Sequence, residues 1–238
     1  MRISKGLKIK ILIPFLFSLL FSAHPISIDG LFVDWEDVPV LYSDTEGDGI
    51  NADFSIFKIT YDSEFLFIYL KFFEGEFLLQ DWNSFHLYID ADNDVSTGLN
   101  IHGVGAELDW IFGDRSGFQF INNQQVEVVQ NDLNLRIAPT VTSSEFEIAI
   151  SRNSLPLSMN DSQIITEGKI VLYEGETESD YLPDDEGGVY FSIIEDNISS
   201  SPEPIELEKL NESDIRIVSY NTLNEGIIDV ERQNHFKR

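Results

Sequence analysis

The chain contains no cysteine. Disulfides, a thiol nucleophile, a thiolate zinc site and a lipid-modified N-terminal cysteine are excluded on that ground. Histidine is nearly as scarce: His24, His86, His102 and His235 are the whole set, too few and too scattered for a histidine-rich zinc site. A G-x-S-x-G elbow is absent as well, although composition leaves a Ser/His/Asp set open. Basic residues are few, 15 Lys and Arg against 42 Asp and Glu, for a formal charge of −27. A surface of that sign repels nucleic acid, whose non-specific affinity comes from Lys and Arg on phosphate, and it repels anionic lipid equally. It suits divalent cations, neutral ligands or a saline medium. No long 3.6-residue periodicity and no internal repeat are present. In so acidic a chain, paired carboxylates for glycoside hydrolysis carry no meaning without geometry.

What is present is apolar and aromatic. Eighteen phenylalanines against 2 methionines, within a 42% hydrophobic share, favour a β-rich globular class. The length of 238 residues allows one domain of roughly 150–200 residues plus additions. Arg2, Lys5, Lys8 and Lys10 precede an apolar run from Ile11 to Ala23. A spanning helix needs about 20 apolar residues, so this shorter run reads as a cleaved signal peptide over residues 1–23, with an uncleaved anchor as the alternative. Cleavage removes four bases and no acids, taking 15 bases to 11 against 42 acids, a charge of −31. The expected location is secreted, periplasmic or at the cell surface, with no membrane association after cleavage.

The chain is organised around residues 85–110, FHLYIDADNDVSTGLNIHGVGAELDW. Leu87 and Ile89 alternate with His86, Tyr88 and Asp90, so the strand enters its acidic turn on the face away from the aliphatic pair. Asp90, Asp92 and Asp94 then stand at alternate positions where regular pairing stops, placed for a hard cation. The turn departs from an EF-hand loop: its sixth position is Val95 and its twelfth Ile101. Glu107 and Asp109 on the returning strand are the candidate further ligands, and an acidic strand end exposed to water is the alternative. Ala106, Leu108, Trp110 and Phe112 are expected on one face, with Trp110 in the core.

Elsewhere the pattern is of short strands between turns. Ile28, Asp29-Gly30, Leu31 and Val33 suggest an opening strand or hairpin, and Trp35 a core residue. The loop from Tyr42 to Asp53 carries Asp44, Glu46 and Asp48 followed by Gly49, the first half of an EF-hand pattern. Its twelfth position is Ser55, so a solvated acidic turn is the preferred reading over calcium. Residues 54–73 form the clearest hairpin, both of its faces apolar enough to be covered. Trp82, between Asp81 and Asn83, is a candidate sugar-stacking platform or else folds back over the sheet. With Tyr88 and His86 it makes up the expected ligand-binding set. NLRIAPTV with EFEIAIS, and GKIVLYEG with GGVYFSII, read as two further strand pairs, and Ser151 to Met159 as a short helical turn. The fold expected is all-β, an antiparallel sandwich over residues 24–195. Residues 196–214 lack aromatics and read as a linker; a new strand begins at Ile215.

Two resemblances emerge. Residues 28–194, with the opening IDG and following DW, YDSEFLFIYL, YIDADND with STG, and GAELDW, resemble carbohydrate-binding module family nine and the related DOMON-like sandwiches. The resemblance implies a β-sandwich that binds sugar ends or other small ligands and often holds structural calcium. That family clasps a terminal sugar between two tryptophans, whereas Trp82 is the one loop candidate here. IRIVSYNTLNEGIIDVERQ, from Ile215 to Gln233, resembles the opening of an endonuclease/exonuclease/phosphatase domain, which implies Asn221 at a metal-phosphate centre. The metal-binding Glu, catalytic His and later Asp residues of that superfamily have no positions before Arg238. Residues 215–238 are thus expected to be a truncated first strand, poorly ordered or loosely docked, and the chain as given to be inactive as a phosphoesterase.

The function expected is that of an exported, non-catalytic ligand-binding module, monomeric, with possible structural Ca2+, a saccharide or other small polar ligand, and no nucleic-acid partner. It would form the N-terminal part of a larger secreted hydrolase. The alternatives are a fragment of a secreted phosphodiesterase or nuclease, and a cell-surface adhesion or assembly module.

Overall fold

Alternation of apolar residues over positions 54–72 dictates two strands, and they form the centre of the first of two sheets. The computed structural model describes residues 26–50, 52–81, 83–122, 124–159, 163–175 and 180–194. The expectations for the signal peptide, the linker, the segment 215–238 with Asn221, and Trp82 lie outside the described residues. In chain order the strands are β1 (Tyr42–Ser43), β2 (Phe54–Tyr61), β3 (Phe65–Phe72), β4 (Phe85–Asp90), β5 (Leu99–Ile101), β6 (Val104–Ala106), β7 (Leu108–Ile111) and β8 (Ser116–Ile121). Then come β9 (Gln124–Val129), β10 (Arg136–Ala138), β11 (Glu145–Ser151), β12 (Ser158–Met159), β13 (Gln163–Ile164), β14 (Glu167–Glu174), β15 (Tyr181–Leu182) and β16 (Val189–Ser192).

All pairings are antiparallel. The first sheet runs β1-β2-β3-β11-β10; the second runs β15-β14-β4-β7-β8-β9, with β16 also paired to β14. The hairpins β5–β6 and β12–β13 stand apart from both. The expected pairs β2–β3, β10–β11 and β14–β16 are therefore present. The two sheets face each other over one core: Leu66, Ile68 and Leu70 of β3 and Leu87, Ile89, Leu108, Trp110 and Leu172 of the second sheet are buried in a single apolar cluster. Each such side chain contributes about 1.5–3 kcal/mol by leaving water, which makes this layer the dominant favourable term.

The far face of β3 is covered too. Phe65, Phe67 and Tyr69 pack under Ile26, Trp35 and Val38 of the N-terminal segment. That segment is not the expected strand. Phe32–Trp35 is a 3-10 turn, and the cause is Glu147 on β11. Its fully buried carboxylate accepts bonds from the Asp29 and Gly30 amides and from Trp35 Nε1. Those amides are thereby taken by a side chain and are lost to ladder pairing. Gly30 turns there at a φ of +81°, in the left-handed region that glycine enters without strain.

A second departure concerns Ala106. It lies not with Leu108, Trp110 and Phe112 but on the outer side of the second sheet, with Tyr88, Val104 and Val171. The alternation breaks at Glu107, whose amide bonds the Ile89 carbonyl at 2.9 Å although Ile89 is in register with Leu108. Two residues thus oppose one, as in a bulge, and the side chains before it change face. The break turns Glu107 toward the acidic turn that follows β4.

Candidate metal centre and a neighbouring aromatic strip

Strand β4 presents His86, Tyr88 and Asp90 on its outer face, and the acidic turn begins as it leaves the sheet. Asp90 is fully buried. One of its oxygens, Oδ2, lies 3.4 Å from the Gly105 amide, and the other, Oδ1, is shielded from solvent without a hydrogen-bond partner. One carboxylate oxygen from each of Asp90, Asp92 and Glu107 falls within 4.8 Å of the other two. Two oxygens bound to one calcium at about 2.3–2.6 Å are at most about 5 Å apart, so the spacing fits a shared ion.

The donors around these oxygens are too few to satisfy them. Ala91 N donates to Glu107 Oε2 at 2.8 Å and Asp94 N to Asp92 Oδ1 at 3.0 Å. The Thr97 hydroxyl lies within 2.9–3.1 Å of both Asp92 oxygens, the Asp94 carbonyl and Glu107 Oε1. A hydroxyl has one proton to give, so it serves one of these oxygens at a time. Burial accordingly pushes Glu107 up to about 7, with the Ala91 amide pulling the other way. Asp90 is raised as well, by burial, against the Gly105 and Asn93 amides.

Two glycines let the turn close. A Cβ at Gly105 would stand 2.4 Å from the carbonyl oxygens of both Asp94 and Thr97, and one at Gly98 2.8 Å from Glu107 Oε1. The turn therefore lies directly on the β5–β6 hairpin, leaving no room for a side chain there.

The five acids singled out in the sequence thus divide. Asp90, Asp92 and Glu107 converge. Asp94 is exposed and shapes the turn, its Oδ1 accepting from the Ser96 amide at 2.9 Å and the Ser96 hydroxyl at 2.6 Å, which holds its carboxyl below the usual range. Asp109 belongs to another group: its Oδ1 is 2.7 Å from His86 Nδ1, and the Tyr88 hydroxyl is 3.1 Å from the same nitrogen. Burial, followed by the Asp109 charge, raises the Tyr88 hydroxyl above its ordinary pKa.

His86 and Tyr88 begin an aromatic strip. Their rings stack at 5.4 Å, Tyr173 on β14 lies 5.9 Å from His86, Tyr181 on β15 stacks on Tyr173 at 4.4 Å, and His102 stacks on Tyr181 at 4.3 Å. His102 Nε2 is 2.9 Å from the Pro183 carbonyl, tying the β5–β6 hairpin to the loop after β15. Sequence reasoning missed Tyr173, Tyr181 and His102 as members of this strip. No local spacing could have found them: the pairing of β14 with β4 sets Tyr173 beside His86, that of β15 with β14 sets Tyr181 beside Tyr173, and His102 meets Tyr181 from the turn between β5 and β6. Tyr88 is itself buried, so what the strip offers is the carboxylate-held imidazole of His86 with the half-buried rings of Tyr173, Tyr181 and His102.

The class defined by this geometry is an antiparallel β-sandwich with an acidic corner and a polar aromatic face. The sequence matches no protein-family model and no curated protein. Among solved structures it is similar to a carbohydrate-binding module family 9 from Caldicellulosiruptor kristjanssonii in complex with cellotriose, at 13% identity and a TM-score of 0.44, over 77% of this chain and 97% of that one. Among the described residues no helix is long and apolar enough to cross a membrane.

Proposed function

We propose that the chain is an exported, non-catalytic binding module whose acidic corner is stapled by calcium and whose outer aromatic strip receives a small polyhydroxylated ligand of the saccharide class. The observation that carries the reading is Asp90, a carboxylate buried at a strand end with one oxygen unpartnered and two further acids converging on it. An isolated buried charge costs several kcal/mol, and a cation at the convergence point removes that cost. The staple ties the end of β4 to the start of β7 and so fixes the strand that carries His86 and Tyr88. For the ligand, the support is the pairing of apolar ring surface with the His86–Asp109–Tyr88 hydrogen-bonding group, a combination suited to a sugar's apolar face and hydroxyls.

Calorimetric titration of EDTA-stripped wild type and Asp90→Asn with calcium chloride tests the staple, and the wild type is expected to bind one ion more than the variant; equal stoichiometry and affinity in the two would sink it. Titration with soluble oligosaccharides, followed by intrinsic fluorescence, tests the strip. A response is expected in the wild type and its loss in His86→Ala with calcium affinity retained, whereas an equal response in both would remove the strip from the site.

A further inference from the structure

The half-pattern Asp44, Glu46, Asp48, Gly49 lacks its closing glutamate in sequence, and the fold brings acids to it from the other end of the domain. Asp180 immediately precedes β15 and Asp184 follows it. One carboxylate oxygen each of Asp44, Asp180 and Asp184 lies within 4.8 Å of the other two, and the same holds for Asp48, Asp53 and Asp180. Asp180 belongs to both triads. We propose that this cluster is a second hard-cation site, selective for calcium-like ions, with Asp44, Asp180 and Asp184 as its central ligands and Asp48 and Asp53 beside them.

Crowded surface acids are common, and crowding alone points to no ion. The independent observation is Asp44. It is only 8% exposed, both of its carboxylate oxygens are shut off from solvent, and neither accepts a hydrogen bond of ordinary geometry. Its neighbours are engaged. Asp180 Oδ2 accepts from the Phe54 amide at 2.8 Å, Asp53 from the Gly47 and Gly49 amides at 2.8 and 3.4 Å, and Asp184 from the Thr45 hydroxyl at 2.9 Å. Asp44 is left facing them with no hydrogen bond of ordinary geometry to its carboxylate, while its backbone N–H donates to the Ser55 carbonyl at 2.8 Å. Asp180 is fixed in turn through its carbonyl, which accepts from Glu174 N at 2.9 Å. The backbones of Asp44 and Asp180 are thus each tied to a strand residue beside the cluster.

The charges acting on Asp44 are themselves acidic. Burial, then Asp180, Asp184 and Asp48, hold its pKa at about 8, against a small opposing pull from the Thr45 amide. Asp180 is raised to about 7, chiefly by burial. Such a group reaches a comfortable state by taking up a proton or by sharing a cation, and a calcium ion satisfies several carboxylates at once with 6–8 oxygen ligands. A cleft of about 570 Å³ opens beside the cluster, lined in part by Asp53, Glu74, Glu76 and Phe77. An ion would therefore also fix one wall of that cleft.

This site stands independently of the β4–β7 corner, and the two are separable by experiment. Stripped wild type, Asp44→Asn, Asp184→Asn and Asp90→Asn are each titrated with calcium chloride by calorimetry, with melting temperature recorded in EDTA. Asp44→Asn is expected to lose one ion per chain relative to wild type and to melt no lower in EDTA, because a neutral amide of nearly the same shape suits a buried position ringed by Asp180, Asp184 and Asp48. Asp184 is exposed, so Asp184→Asn leaves the fold intact and is expected to weaken the same ion at least about tenfold. Stoichiometry and affinity in both variants equal to wild type would overturn the proposal, whatever Asp90→Asn does. Loss of an ion in Asp44→Asn with none lost in Asp90→Asn would uphold this site and remove the corner one.

Discussion

Glu147, Asp90 and Asp44 are three buried carboxylates with opposite fates. Glu147 has three donors, two backbone amides and the Trp35 indole, arranged around its two oxygens. It is a structural pin and needs no ion. Asp90 Oδ1 and both oxygens of Asp44 are shut off from solvent and accept no hydrogen bond of ordinary geometry. Sequence shows three acids of the same kind; only the count of donors that the fold aims at each separates a satisfied pin from a candidate ligand. In Glu147→Gln the new amide group would point its hydrogens at Trp35 Nε1 or at the two backbone amides, setting donor against donor. A loss of about 1–3 kcal/mol of unfolding free energy is expected in urea titration, with no change in calcium affinity. A stability equal to wild type would show that the N-terminal cover is not held through this carboxylate.

At the scale of the element, the corner between β4 and β7 was half legible. The alternation that puts His86, Tyr88 and Asp90 on one face, and the convergence of Asp92 with it, follow from a period of two and a strand end. The role of Glu107 follows from a break in that period. A strict alternation puts Glu107 beside Asp109, yet the irregularity at Ile89 and Leu108 separates them, one toward Asp92 and the other toward His86. A bulge costs one residue of register and leaves little trace in composition. The glycines at 98 and 105 are the local signs that two backbones come close here. In Gly105→Ala the added Cβ would meet the Asp94 and Thr97 carbonyls at 2.4 Å. Thermal unfolding should show a loss of about 1–3 kcal/mol together with weakened calcium binding, since the displaced turn carries Asp92. Loss of stability with unaltered calcium affinity would separate the turn from the site.

For the whole molecule, the two-sheet order could be anticipated from strands that bury both faces, as Phe65, Phe67 and Tyr69 do on one side of β3 and Leu66, Ile68 and Leu70 on the other. The aromatic strip and the second acidic cluster could not, because each joins chain segments far apart in the sequence. The charge of −27 adds a further consideration. Any salt screens so acidic a chain and raises its melting temperature by relieving self-repulsion, so a rise with calcium alone does not distinguish a bound ion from screening. A residue-resolved measurement at matched ionic strength does. Amide hydrogen exchange at Ala91 and Gly105, compared in calcium chloride and in sodium chloride of equal ionic strength, reads the corner directly. The account predicts slowing at these two amides well beyond that seen in β8 and β9. Equal exchange in the two salts would contradict the calcium staple.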